Sequence, residues 1–76
     1  MEQSKSRAKF VNLAEKRVTR TIRNLRLIGN LSNKTNYSYT DQDVKKIISA
    51  LENEIRNIKR RFESEKGPEE VLFKLE

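Results

Sequence analysis

The stretch that decides the fold is TDQDVKKIISALENEIRNIKRRF, residues 40–62. Its apolar side chains recur at steps of three and four residues, which is the spacing of a helix that packs along one side. These side chains, which we call the second seam, are Val44, Ile48, Leu51, Ile55, Ile58 and Phe62. A helix with one continuous apolar side buries it against another element, so this pattern predicts a packing partner.

An upstream apolar series supplies that partner. The first seam follows the same steps of three and four residues and consists of Val11, Ala14, Val18, Thr21, Leu25 and Ile28. The sequence therefore predicts helices over about residues 5–28 and 40–63, joined by a polar turn at 29–39. Because the helices match in length and the connection is short, we expect a coiled-coil-like antiparallel two-helix hairpin in a single all-α domain, residues 1–76.

Polar residues and glycine mark the expected helix ends. Ser4 or Ser6 is a suitable N-cap for the first helix. Gly29-Asn30 is expected to stop that helix in a left-handed conformation. Thr40 is expected to cap the second helix, and Asp43, three residues later, completes a capping box.

Other apolar residues point to packing beyond one hairpin. Phe10, Ile22 and Ile47 widen the apolar faces, and a second hairpin packed as a four-helix bundle would cover them. A core in a chain this short supplies only about 3–5 kcal/mol, so a homodimer is expected. A short C-terminal helix is predicted at residues 68–75. It would fold back on the hairpin, dock on a partner or stay mobile, and the sequence leaves open whether residues 64–76 are ordered.

Positive charge is concentrated in the first half of the chain. The net charge is +6. Residues 1–31 hold eight basic and two acidic side chains, whereas the tail from residue 64 is acidic. The first helix therefore supplies most of the positive field, which favours an anionic partner.

The basic side of the first helix and the turn provide the candidate binding residues. Four cations lie opposite the first seam and rise along one face, as phosphate binding requires. The turn adds a lysine and a tyrosine whose ring is suited to stacking on an unpaired base. The predicted nucleic-acid-binding residues are Lys9, Lys16, Arg20, Arg23, Lys34 and Tyr37. The alternative without a binding role is that these cations form an ordinary solvent-exposed face, with Arg20 paired to a glutamate of the second helix.

No pattern indicates an enzyme. The chain has no histidine and no cysteine, which removes the commonest general base and the thiolate nucleophile. We therefore expect no catalytic residue, no cofactor and no metal site. No stretch approaches the roughly 20 apolar residues of a membrane span, and no signal peptide is apparent, so a cytoplasmic location without a membrane partner is expected.

A protein-binding role is the competing interpretation. Leu13 and Leu27 point away from the first seam, and an apolar tail follows residue 68. Such a module would act as an adaptor or inhibitor on a larger protein assembly, in a bacterial, phage or mobile-element setting. The uneven charge favours a small basic nucleic-acid-binding regulator instead; the choice between RNA and DNA, and any sequence preference, stays open.

The end of the first helix and the turn carry a resemblance. The runs IRNLRLIGNLSN, residues 22–33, and NYSYT, residues 36–40, resemble a stretch in short uncharacterised bacterial proteins, some of them on mobile elements. The resemblance continues weakly through the second helix. It implies a helical hairpin and no particular activity.

Overall fold

The structure is a computed structural model that describes residues 4–65. Helix α1 comprises Lys5–Gly29, and a short 3-10 helix, Asn30–Ser32, follows it directly. Helix α2 comprises Asp41–Glu65. No strand occurs among residues 4–65, so the predicted all-α class is confirmed for this part of the chain.

The chain divides into two units, one ending at Ser38 and the other beginning at Tyr39. Each unit contains one of the two long helices. The antiparallel hairpin and the four-helix dimer stay predictions. The C-terminal helix expected at 68–75 lies outside the described residues.

The start of α1 is fixed by Ser4. Its backbone is extended, with φ −68° and ψ 158°, and its side-chain oxygen accepts a hydrogen bond from the Arg7 N–H at 3.1 Å. Of the two serines expected to cap this helix, Ser4 is the one that does so. The Ser6 hydroxyl lies 3.0 Å from the Ser4 hydroxyl and supports it. One of the otherwise unpaired donors of the first turn is thereby satisfied.

The end of α1 differs from the expectation. Gly29 has φ −58° and ψ −32°, and Asn30 has φ −64° and ψ −20°, so both are right-handed. The Asn30 N–H donates to the Arg26 carbonyl and continues the helical bonding. The predicted left-handed stop at Gly29 is therefore wrong, because glycine permits that conformation without requiring it.

The helical path stops at Asn33 instead. Asn33 is extended, with φ −68° and ψ 100°. Its side-chain oxygen accepts from the Thr35 N–H at 3.0 Å, and its carbonyl accepts from the N–H groups of Asn36 at 3.2 Å and Tyr37 at 3.0 Å. These local bonds offer the backbone an alternative to helix, which is why asparagine is common in turns.

The start of α2 confirms the predicted capping box. The Asp43 N–H donates to the Thr40 hydroxyl oxygen at 3.1 Å, and the Thr40 N–H donates to a carboxylate oxygen of Asp43 at 2.9 Å. Asp41 and Asp43 both lie in the first turn, where negative charge complements the helix dipole.

The two seams remain largely accessible to solvent. Val18 of the first seam is 56% exposed and Ile55 of the second is 61% exposed. No residue in the described range is fully buried. Contiguous apolar surface in contact with water favours association.

The one hydroxyl in the first seam is satisfied within its own helix. The Thr21 hydroxyl donates to the Arg17 carbonyl at 2.8 Å. Its polar atom therefore needs no partner from another element, and its methyl group is left for apolar packing.

Candidate nucleic-acid interface

Four of the predicted site residues form a straight line along α1. We call Lys9, Lys16, Arg20 and Arg23 the basic stripe, and all four are exposed. With about 100° of rotation per residue they fall within an arc of about 60°, and they span about 21 Å along the axis. The stripe is narrow, long and held on a single rigid element.

An open depression on α1 brings three of these cations together. It is lined by Glu15, Lys16, Thr19, Arg20 and Arg23. Lys9 lies outside it, about 10 Å towards the N-terminus at the helical rise of 1.5 Å per residue. The depression is thus the part of the stripe where positive charge is densest.

Thr19 and Glu15 belong to this surface although they were not among the predicted site residues. Thr19 lies three residues after Lys16 and four before Arg23, a spacing that places it on their face. Its hydroxyl is a suitable donor to a phosphate oxygen. Glu15 is the single acidic residue of α1. The same spacing rule that identified the cations was sufficient to find Thr19.

The cations of the stripe have no acidic neighbour one helical turn away. No acidic residue lies three or four positions from any of the four. Instead Lys16 lies four residues from Arg20, and Arg20 lies three residues from Arg23. Like-charged neighbours at these spacings cost an isolated helix about 0.2–0.5 kcal/mol each. α1 therefore carries a repulsion that a bound anion would relieve.

Helix α2 has the opposite arrangement. It holds six basic and six acidic residues, whereas α1 holds eight basic and one acidic. Opposite charges in α2 recur four residues apart, at Asp41–Lys45, Glu52–Arg56, Lys59–Glu63 and Arg61–Glu65. This is the pattern of a solvent-facing helix that compensates its own charge. The contrast singles out α1 as the helix suited to an anionic partner.

Arg7 does not belong to the stripe. Its guanidinium lies 5.7 Å from the centroid of the Phe10 ring, within the range of a cation–π contact. Arg7 and Phe10 are three residues apart on the seam side of α1. The basic character of that helix is therefore not uniform, and the stripe is its charged side.

Lys34 and Tyr37 lie in the turn after α1, within the same unit of the chain. They are not part of the depression. Tyr37 is 48% exposed, and its backbone N–H is held by the Asn33 carbonyl. The structure thus provides an accessible ring on a hydrogen-bonded turn that begins about 15 Å along the helical path beyond Arg23, the last cation of the stripe.

Two other features bear on the kind of site. Among residues 4–65 there is no cluster of three or more side chains able to ligate a metal ion. Within the same range neither α-helix carries an apolar stretch sufficient to pass through a lipid bilayer.

The chain matches no protein-family model, no curated protein and no solved structure. Its activity is therefore inferred from its own residues.

Proposed function

We propose that this protein is a small regulator that binds nucleic acid through the basic stripe of α1. The observation that carries the proposal is a row of four exposed cations with no acidic residue one helical turn away. Lys34 and Tyr37 contribute from the turn. A location where nucleic acid is available, such as the cytoplasm, follows from the proposed partner.

Binding would be driven by the release of counterions from phosphate groups. Arg20 and Arg23 present planar guanidinium groups that donate two parallel hydrogen bonds to one phosphate, and Lys9 and Lys16 act as point charges. Thr19 lies among them and offers a further donor. Because phosphate contacts carry no base information, the stripe would supply affinity and orientation rather than sequence preference.

The proposal includes the antiparallel hairpin and its dimer. Both seams are apolar and accessible, and each needs a surface of the same kind against it. Pairing the two seams in one chain, and two such hairpins in a four-helix bundle, would remove them from water. The stripe lies on the side of α1 opposite its seam, so each protomer would keep its cations outside the bundle.

A protein-binding adaptor or inhibitor is the second candidate. It is favoured by Leu27, which is 62% exposed and lies four residues after Arg23 on the charged side of α1. An exposed leucine beside cations fits a partner surface that combines apolar and acidic groups. Titration against nucleic acid separates this candidate from the first.

The decisive variant is Arg20→Gln with Arg23→Gln. Removing two cations from the densest part of the stripe should weaken binding to a mixed-sequence oligonucleotide about tenfold or more. The slope of log K against log salt should fall by about 1.4–1.8, because two fewer phosphates are neutralised. Fluorescence anisotropy between 50 and 200 mM salt, a range over which phosphate-driven binding changes steeply, measures both quantities.

The matched control is Arg56→Gln with Arg60→Gln on α2. It lowers the net charge by the same two units but leaves the stripe intact. The control should retain most of the affinity. Equal losses in the two variants would show that only the overall charge matters, and an unchanged affinity in the α1 variant would reject the stripe.

A further inference from the structure

The row of cations on α1 is followed by an exposed leucine. Leu27 follows Arg23 by four residues and therefore lies in line with the stripe, about 6 Å further along the axis. It is the most exposed of the large apolar side chains in the described range, at 62%. This surface thus combines a phosphate-binding part with an adjoining apolar part.

The turn beyond α1 adds an aromatic ring to the same unit. The bonds that Asn33 makes to Thr35, Asn36 and Tyr37 hold the backbone of this turn. The Tyr37 ring remains half-exposed on that held backbone. A ring carried on a held backbone has only its own two side-chain torsions to fix on binding, which favours its use as a stacking platform.

Base faces are covered by their neighbours within a duplex and are open in a single strand. A leucine in line with a row of cations and a tyrosine on the turn beyond them therefore have little flat surface to pack on in duplex DNA or RNA, whose accessible surface is phosphate, sugar and base edges. On a single strand the same two side chains can pack on unstacked bases while the cations follow the backbone.

We propose that the ligand of this surface is a single-stranded nucleic acid, with its phosphates along the basic stripe and unpaired bases against Leu27 and Tyr37. This inference rests on the proposed function and narrows its partner. The strand would run along α1 so that its phosphates meet Lys9 to Arg23 first and its splayed bases meet the turn.

The test compares single-stranded and duplex probes. A fluorescein-labelled oligo(dT) of about 16 nucleotides, within the usual site size of such surfaces, is titrated beside a DNA hairpin that has the same number of phosphates and whose stem is closed by a linker without bases. The single strand should bind about tenfold or more tightly than the hairpin. Tyr37→Ala should weaken single-strand binding about 5- to 100-fold and leave the hairpin affinity unchanged, whereas Tyr37→Phe should bind like the wild type.

Tyrosine emission gives a second readout of stacking. The chain has two tyrosines and no tryptophan, so its intrinsic emission comes from Tyr37 and Tyr39. Unlabelled oligo(dT) should quench the wild-type emission and should quench the Tyr37→Phe emission much less. Far-ultraviolet circular dichroism of each variant confirms that helicity is retained.

The outcomes separate this inference from the function on which it rests. If the hairpin binds as tightly as oligo(dT), or if Tyr37→Ala leaves oligo(dT) binding unchanged, the single-strand inference is wrong. The basic stripe survives that result if the Arg20 and Arg23 variant still weakens both probes. If neither probe binds at 50 mM salt, the proposed function fails together with the inference.

Discussion

At Gly29 the backbone conformation decides whether a substitution by alanine stabilises or destabilises the protein. It lies at the end of α1 with right-handed angles, and a Cβ added there would meet no atom within 4 Å. Replacing glycine by alanine at such a position restricts the unfolded chain and costs the folded chain nothing.

Gly29→Ala should therefore raise the free energy of unfolding by about 0.4–1 kcal/mol. Urea denaturation followed by circular dichroism measures the change. The converse substitution, Asn30→Gly, should lower the free energy of unfolding. A loss of stability in Gly29→Ala would mean that this residue is left-handed, as its sequence context first indicated.

Thr40 carries a second prediction at the scale of a single residue. Its hydroxyl accepts from the Asp43 N–H at 3.1 Å, which satisfies a donor that the first turn of α2 would otherwise leave open. Thr40→Ala should lower the free energy of unfolding by about 1 kcal/mol, within a range of about 0.5–2.

Thr35→Ala is the matched control for Thr40→Ala, because Thr35 uses its backbone N–H rather than its side chain in the turn. The two variants are compared by thermal unfolding. If both lose the same stability, the hydroxyl of Thr40 has no capping role.

At the scale of the helices, the sequence predicts those features that depend on interactions between residues close together in the chain. The seams, the cap at Ser4 and the box formed by Thr40 and Asp43 depend on residues at most four apart, so their spacing predicts them. The end of α1 did not follow from Gly29, because glycine permits several conformations; the helical path ends instead at Asn33, which accepts hydrogen bonds from the turn that follows it.

The candidate site, like the helix ends, could be predicted in part from the sequence. Helical spacing was sufficient to place Lys16, Arg20 and Arg23 on one face, and the structure adds Thr19 to their surface. The spacing of cations alone cannot distinguish one nucleic acid from another, since every strand presents the same phosphate. In the proposed complex a preference would come from side chains that contact bases, for which Leu27 and Tyr37 are the candidates.

At the scale of the whole molecule, the proposed bundle makes a prediction about Ile55. In the described structure Ile55 is 61% exposed, and on that surface an aspartate would cost little. In a bundle that packs the second seam, an aspartate would be buried without a partner. Ile55→Asp should then lose about 3 kcal/mol or more of stability and dissociate the dimer.

Sedimentation equilibrium and thermal unfolding at several protein concentrations test this. The wild type should show dimer mass and a melting temperature that rises with concentration. Asn53→Asp, on the side of α2 opposite the second seam, introduces the same charge and should change neither measurement. A folded, dimeric Ile55→Asp protein would exclude seam packing as the basis of assembly.

If the two seams pair as proposed, the excess charge of α1 also has a consequence during synthesis. The ribosome completes Ile28, the last residue of the first seam, before it adds the 34 residues that run to Phe62. At about 5–20 residues per second this takes roughly 2–7 seconds. Throughout that interval the nascent first seam has no intramolecular counterpart. Eight basic residues against one acidic residue on the same helix would make neighbouring chains with an unpaired first seam repel one another, which would limit aggregation before the proposed hairpin closes.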